Sequence, residues 1–126
     1  MSDTRIAEAL LGHPDIVAMV GTAALAELPQ GRSAPALVYQ VFTTPSHYLD
    51  GDSLGLLRLQ VNPLHETAPG VEAIHTAIEA ALAWRADEEV AGHHIKLIEP
   101  DVYSGWSKDE FTGLWTRARD YLVRFD

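Results

Sequence analysis

Apolar residues recur along this chain with two different periods. Over 57–62, Leu57, Leu59 and Val61 alternate with Arg58, Gln60 and Asn62; a period of two sets one face of a strand against a core and the other towards water. Over 66–89 the apolar residues Val71, Ile74, Ile78, Ala81 and Leu82 return at helical spacing, with Glu72, Glu79 and Arg85 outside the stripe. That spacing predicts an amphipathic helix, which Thr67 is placed to cap and whose first turn accommodates Pro69.

The remaining segments follow from the same two patterns. In 36–43, Leu37, Tyr39 and Val41 point one way and Ala36, Val38, Gln40 and Phe42 the other. Both faces are oily, which predicts a strand covered on one side by the core and on the other by a neighbouring subunit. Asp50-Gly51 supplies the turn residue that would join it to the next strand, with a projecting loop over 44–54. At the N-terminus, Ser2 or Asp3 is placed to cap a helix carrying Ile6, Ala9, Leu10 and Leu11 on one side. Gly12-His13-Pro14 interrupts it, and "PDIVAMV" forms a short second helix that Gly21 ends.

Residues 22–35 are ambiguous. Alanine and leucine favour helix, while Pro29, Gly31 and Pro35 confine any element to a few residues. "HHIKLIEPDVY" (93–103) predicts a strand that Pro100 bends or ends at a sheet edge. "SGWSKDEFTG" is a polar loop, and the aromatic and β-branched residues of "LWTRARDYLVRF" favour strand over helix. The order α, (α), β, β, α, β, β predicts a single α+β domain over 1–126. It would be a small, mainly antiparallel sheet of two hairpins, with the main helix and an N-terminal helix packed on it.

Length and charge narrow the classes. The chain has 126 residues, no cysteine and a formal charge of −9. One core suffices at this size, thiolate and disulfide chemistry is excluded, and an acidic surface opposes nucleic-acid binding through a basic patch. No apolar run approaches the ~20 residues of a membrane span. The polar, acidic start lacks the order of a signal peptide, so synthesis in the cytosol is expected. The densest acids, Asp87-Glu88-Glu89, read as a solvated helix end.

Candidate chemistry is sparse. His65-Glu66 opens like a zinc-peptidase motif, but Pro69 stands where its second histidine belongs. His93 and His94, if on a strand, face opposite ways and cannot share an ion. His75 lies off the apolar stripe, and surface or half-buried histidine is the ordinary reading of all these positions. Asp50 and Asp52 flank Gly51 but lack the further ligands of a calcium loop, which leaves turn chemistry. No nucleophile elbow and no phosphate-cradling glycine loop occurs. Trp84 reads as core or core edge, whereas Trp106 in "SGWSK" is an aromatic in a polar loop and so a candidate subunit contact. A small metal-dependent hydrolase using His65, His93 or His94 is the rival enzymatic reading. No catalytic, cofactor or metal site is expected.

The order of segments nevertheless resembles a known family. "HPDIVAMVG", then "LPQG…APALVYQ" from Leu28 to Gln40, then "LDG…LRLQV", the amphipathic helix and a final "RDYLVRF" together resemble the tail-completion or tail-terminator proteins of long-tailed bacteriophages and prophages. "TAALAEL" departs from the resemblance, since that family more often carries a β-branched and aromatic strand there. The resemblance implies a non-enzymatic virion protein, assembled in a bacterial cytoplasm, that forms a ring of about six. Such a ring caps the head-proximal end of the tail tube and offers a head-joining surface. Implied partners are further copies of itself, the major tail-tube protein and a head-completion or connector protein; a connector ring is the alternative role. DNA would pass through the lumen unbound. A closed ring repeats one heterologous contact and needs apolar patches on two faces of each subunit. Val38, Phe42, Tyr48, Trp106 and Phe111 are the residues expected to supply them. Six copies at −9 each carry −54, and Asp50, Asp52, Asp87, Glu88 and Glu89 are candidate lumen or rim acids that would repel passing phosphates.

Overall fold

The computed structural model describes residues 2–26, 34–44 and 55–126. Among these residues three helices, α1 (Ser2–Leu11), α2 (Pro14–Val20) and α3 (Ala68–Leu82), accompany eight strands: β1 (Ala24–Leu25), β2 (Ala36–Thr44), β3 (Gly55–His65), β4 (Glu88–Val90), β5 (His93–Tyr103), β6 (Ser107–Lys108), β7 (Trp115–Thr116) and β8 (Arg119–Phe125). Along the sheet the order is β1-β2-β3-β8-β5-β4, with β7 beside β3 and β6 beside β7. The sheet curls into a half-barrel, and α1 touches β2, next to one edge, and β4 at the other.

The α+β class and the mainly antiparallel pairing agree with the sequence reading; the picture of two separate hairpins does not. β2 and β3 do pair, from Ala36 opposite Leu64 to Thr44 opposite Leu56. The second pair, β5 and β8, is not a simple hairpin, because a small β6–β7 ribbon is inserted between its strands. β8 also pairs with β3 over Gly55–Phe125 to Val61–Arg119, which makes one continuous sheet. An alternating pattern predicts strands without naming their partners. β1 adds a two-residue parallel edge on β2.

Alternation holds where it was clearest. Leu57, Leu59 and Val61 are fully buried against the helices, with Leu37, Tyr39, Tyr121, Val123, Ile95 and Ile98. On α1 the buried residues are Ile6, Ala7, Leu10 and Leu11, so Ala7 takes the place expected of Ala9. Helix α2 begins at Pro14 and closes on Gly21 at φ 69°. Pro100 lies within β5, in a stretch where the register against β8 slips, as a proline at a sheet edge requires.

The main helix is shorter than its composition suggests. Thr67 caps it, its Oγ1 accepting from the Gly70 amide at 3.1 Å, but the helix stops at Leu82. Trp84 turns away at φ 65° and donates its amide to the Ile98 carbonyl at 2.7 Å, while Arg85 accepts from the Ile98 amide at 2.9 Å. Residues 83–89 are therefore tied to β5 instead of extending α3. Glu88 and Glu89 belong to strand β4 and Asp87 to the turn before it, which corrects the expected solvated helix end. Trp84, expected near the core, is 65% exposed. No helix among the described residues is long and apolar enough to cross a membrane.

Candidate functional site

The described histidines proposed as metal ligands are engaged locally. His65 accepts the Thr67 amide at Nδ1 (3.1 Å), and its ring fills the space a Cβ on Gly70 would need. His93 and His94 do face opposite ways: His93 bonds the Asp126 carbonyl at 3.0 Å and stacks edge-on against Phe125, while His94 lies 3.4 Å from Asp87 and 3.5 Å from Glu89. Among the described residues no three metal-ligating side chains come together.

His75 departs from its expected surface position and is buried at the centre of an ionic and aromatic cluster. Its Nε2 bonds the Arg117 carbonyl, and its ring meets Tyr103 edge-on at 5.1 Å. The Arg117 guanidinium lies 3.5 Å over Tyr103 and 5.4 Å from Trp106, and that of Arg119 is 4.7 Å from Tyr103. Glu72 and Glu79 of α3 hold these arginines at 3.1 and 3.4 Å. Burial, with the Arg119 and Arg117 charges nearby, pushes the His75 pKa below its ordinary value against the contrary pull of its carbonyl bond and Glu72. Burial likewise pushes Tyr121 up to about 12. The cluster clamps β8 and the ribbon before it onto α3 and fixes Trp106, which also meets Trp115 edge-on at 6.1 Å. Three of the chain's nine basic residues, Lys108, Arg117 and Arg119, gather in this aromatic ladder.

The residues expected at subunit contacts separate into distinct groups. Phe42 is 47% exposed at the β2 margin, Trp106 is 40% exposed and Phe111 is 98% exposed. Val38, by contrast, is buried within the subunit. Tyr48, Asp50 and Asp52 lie outside the described residues, as does the loop expected around them. Asp87, Glu88 and Glu89 are locally engaged: Glu88 pairs with Arg85, while Asp87 and Glu89 flank His94. Trp84, Val102, Leu25 and Val17 are the other exposed large apolar residues among those described; Trp84 departs from its expected place at the core or core edge, and the sequence reading does not single out the other three. Val102 had a legible signal, since it lies past Pro100 on a strand that proline marks as an edge. Leu25 and Val17 had none.

Apart from Trp106 and Phe111, at the β6–β7 ribbon, the exposed large apolar residues among those described lie at two separated margins. Val17, Leu25 and Phe42 belong to α2, β1 and β2, whereas Trp84 and Val102 lie on and beside β5, three strands away in the sheet order. Near the first margin, Glu8, Leu11, Gly12, Val17, Thr22, Ala23 and Tyr39 line a pocket of about 190 Å³. Burial and the neighbouring Glu8 carboxylate both raise the Tyr39 phenol pKa.

The fold is similar to that of a chain from the virion of a native gene transfer agent particle. The TM-score is 0.70, and the likeness covers 98% of this chain and 92% of that one at 14% sequence identity. At that identity the likeness is one of fold. No protein-family model and no curated protein matches the sequence.

Proposed function

We propose that this chain is a non-enzymatic structural protein of a phage-like virion, and that it assembles head-to-tail into a ring capping the neck-proximal end of a tail tube. The observation that carries this reading is the end-to-end likeness to a virion chain, which leaves almost no part of either fold unmatched. The two apolar margins support it. One contact repeated to closure joins different faces of neighbouring copies, and each subunit must then carry two unlike patches. Among the described residues, His65, His75, His93 and His94 are each engaged by a cap, a carbonyl or a carboxylate and do not converge on a common centre.

In this role the polypeptide contributes shape and adhesion. Capping stops tube growth because the outer face of the ring lacks the tube's own repeating contact, and the head-completion or connector protein meets that outer face. The charge of −9 per copy keeps DNA phosphates from adhering as they pass. The test is the mass of the protein in solution and after mixing with tubes of the major tail-tube protein from the same genome. A closed oligomer of about six, alone or on tube ends, is expected. A solitary particle under both conditions, or turnover of a small substrate by the purified protein, would overturn the reading.

A further inference from the structure

We infer that Phe111, at the tip of the 107–116 ribbon, is a knob that enters the Glu8–Tyr39 pocket of a second copy of this chain. The inference rests on the assembly reading and specifies its contact. Phe111 is almost wholly exposed, yet the turn that presents it is internally braced. The Asp109 carboxylate accepts from the Phe111 and Thr112 amides at 2.8 and 3.3 Å. The Gly113 amide bonds the Asp109 carbonyl at 2.8 Å, and the Asp109 amide bonds the Leu114 carbonyl at 3.0 Å. A large apolar side chain held out in water by an ordered turn is an unfavourable arrangement for an isolated subunit and a preorganised one for binding. The ribbon's root is fixed as well, through the pairing of β7 with β3 and the stacking of Trp115 on Trp106.

The pocket matches the knob in size and charge. At about 190 Å³ it is smaller than the roughly 300–1,000 Å³ of a small-molecule site; it suits a single aromatic side chain. Leu11, Val17, Ala23 and the Tyr39 ring supply apolar walls, and Glu8 stands at the rim without a cationic partner among the described residues. Beside the knob, Lys108 lies 5.2 Å over the Trp115 ring and has no carboxylate partner among the described residues. Docking Phe111 would bring Lys108 to the side of the pocket that carries Glu8, so that the unpaired cation of one copy meets the unpaired anion of the next. Knob and pocket belong to different elements, and the contact is heterologous; it leaves a free knob at one end and a free pocket at the other.

Phe111→Ala removes the knob, and Thr22→Trp obstructs the pocket; both positions are exposed, so each variant should keep the wild-type melting temperature. Sedimentation over a concentration series is expected to show self-association weakened at least tenfold in each variant. Mixing the two is the decisive step. The pocket of one and the knob of the other remain intact, so a 1:1 mixture should form dimers and nothing larger. Lys108→Glu and Glu8→Lys should each weaken association a few-fold, and their combination in one chain should restore it. Wild-type-like association of both Phe111→Ala and Thr22→Trp, or a mixture that stays monomeric, overturns the contact while leaving the assembly reading standing. A wild-type chain that stays solitary both alone and with tail tubes overturns both.

Discussion

The two faces of strand β3 carry alternate residues of one short sequence and are stabilised by different means. On the helix side, Leu57, Leu59 and Val61 are wholly out of water. On the other side Arg58 donates to Asp101 at 2.6 Å and to Asp120 at 2.8 Å, Gln60 donates to Asp120 at 3.2 Å, and Asn62 reaches Gln60 at 3.5 Å. The first face is non-directional; any apolar residue of suitable volume nearly fits. The second depends on partners from β5 and β8, and each member is costly to remove alone, because what remains is half-buried and unpaired. A sheet with helices on one side only thus has a face that tolerates substitution by size and a face that tolerates it by chemistry.

The largest effect expected of breaking this comparison is on the dry face. Leu59→Ala leaves a cavity in a fully buried layer and should lower unfolding free energy by about 2–5 kcal/mol in denaturant titration. On the polar face, Asp120→Ala deprives Arg58 of one of two carboxylates and Gln60 of its acceptor. A loss of about 1–3 kcal/mol is expected there. The sharper measurement is the double variant with Arg58→Met. If the network is cooperative, removing both members costs less than the sum of the separate losses, whereas Leu59→Ala adds to either one.

The dry face was legible in the sequence, and the polar face was legible only as an outline. The alternation of Leu57, Leu59 and Val61 with Arg58, Gln60 and Asn62 is local and needs no knowledge of neighbours. That Arg58 should meet Asp101 and Asp120 depends on β8 lying between β3 and β5, a pairing between segments some sixty residues apart that alternation does not specify. His75 was misplaced for a related reason. It lies beside Ile74 just off the apolar stripe, and only Tyr103 and the Arg117 carbonyl, both distant in the chain, give its polar ring a buried position. The exposure of Trp84 follows from an early helix end at a left-handed residue, in a stretch whose alanine and leucine content favours continuation. At the candidate site, Phe42, Trp106 and Phe111 are exposed, whereas the pocket near α1 had no signature in the sequence. It is formed by three elements, α1, α2 and β2, and the segment before β1, which meet only in the folded state.

A third effect, negligible at neutral pH, comes from the buried His75 ring. His75 faces Glu72 from its own helix, Arg117 from the chain leading into β8, Arg119 from the start of β8, and Tyr103 from β5. Its pKa in the folded state lies below the ordinary 6.5, so the unfolded chain takes up the proton first as pH falls. The stability associated with neutral His75 is complete above about pH 6.5 and is lost progressively as the pH falls from there towards the lowered folded value. His75→Gln keeps a donor for the Arg117 carbonyl and removes the titration. Urea midpoints measured at pH 7 and pH 5.5 should fall less between the two conditions in the variant than in the wild type, and equal falls would mean that this ring does not carry the acid sensitivity.

The smallest effect is expected at the outer end of the polar face. Arg124 on β8 donates to Glu99 on β5 at 3.0 Å, the same chemistry as the Arg58 contacts, but both side chains are about a third or more exposed. Exposure decides the outcome: each group loses little hydration on pairing, the attraction acts through water, and salt screens it. Glu99→Gln should therefore change unfolding free energy by less than about 1 kcal/mol, and that difference should shrink further between 50 mM and 500 mM salt. Asp120→Ala, measured in parallel, should respond to salt far less, because the Asp120 side chain is only 12% exposed. If the two substitutions proved equal in size and in salt response, burial would not be what distinguishes the centre of this face from its rim, and the cost assigned to Asp120 would have to arise from packing alone.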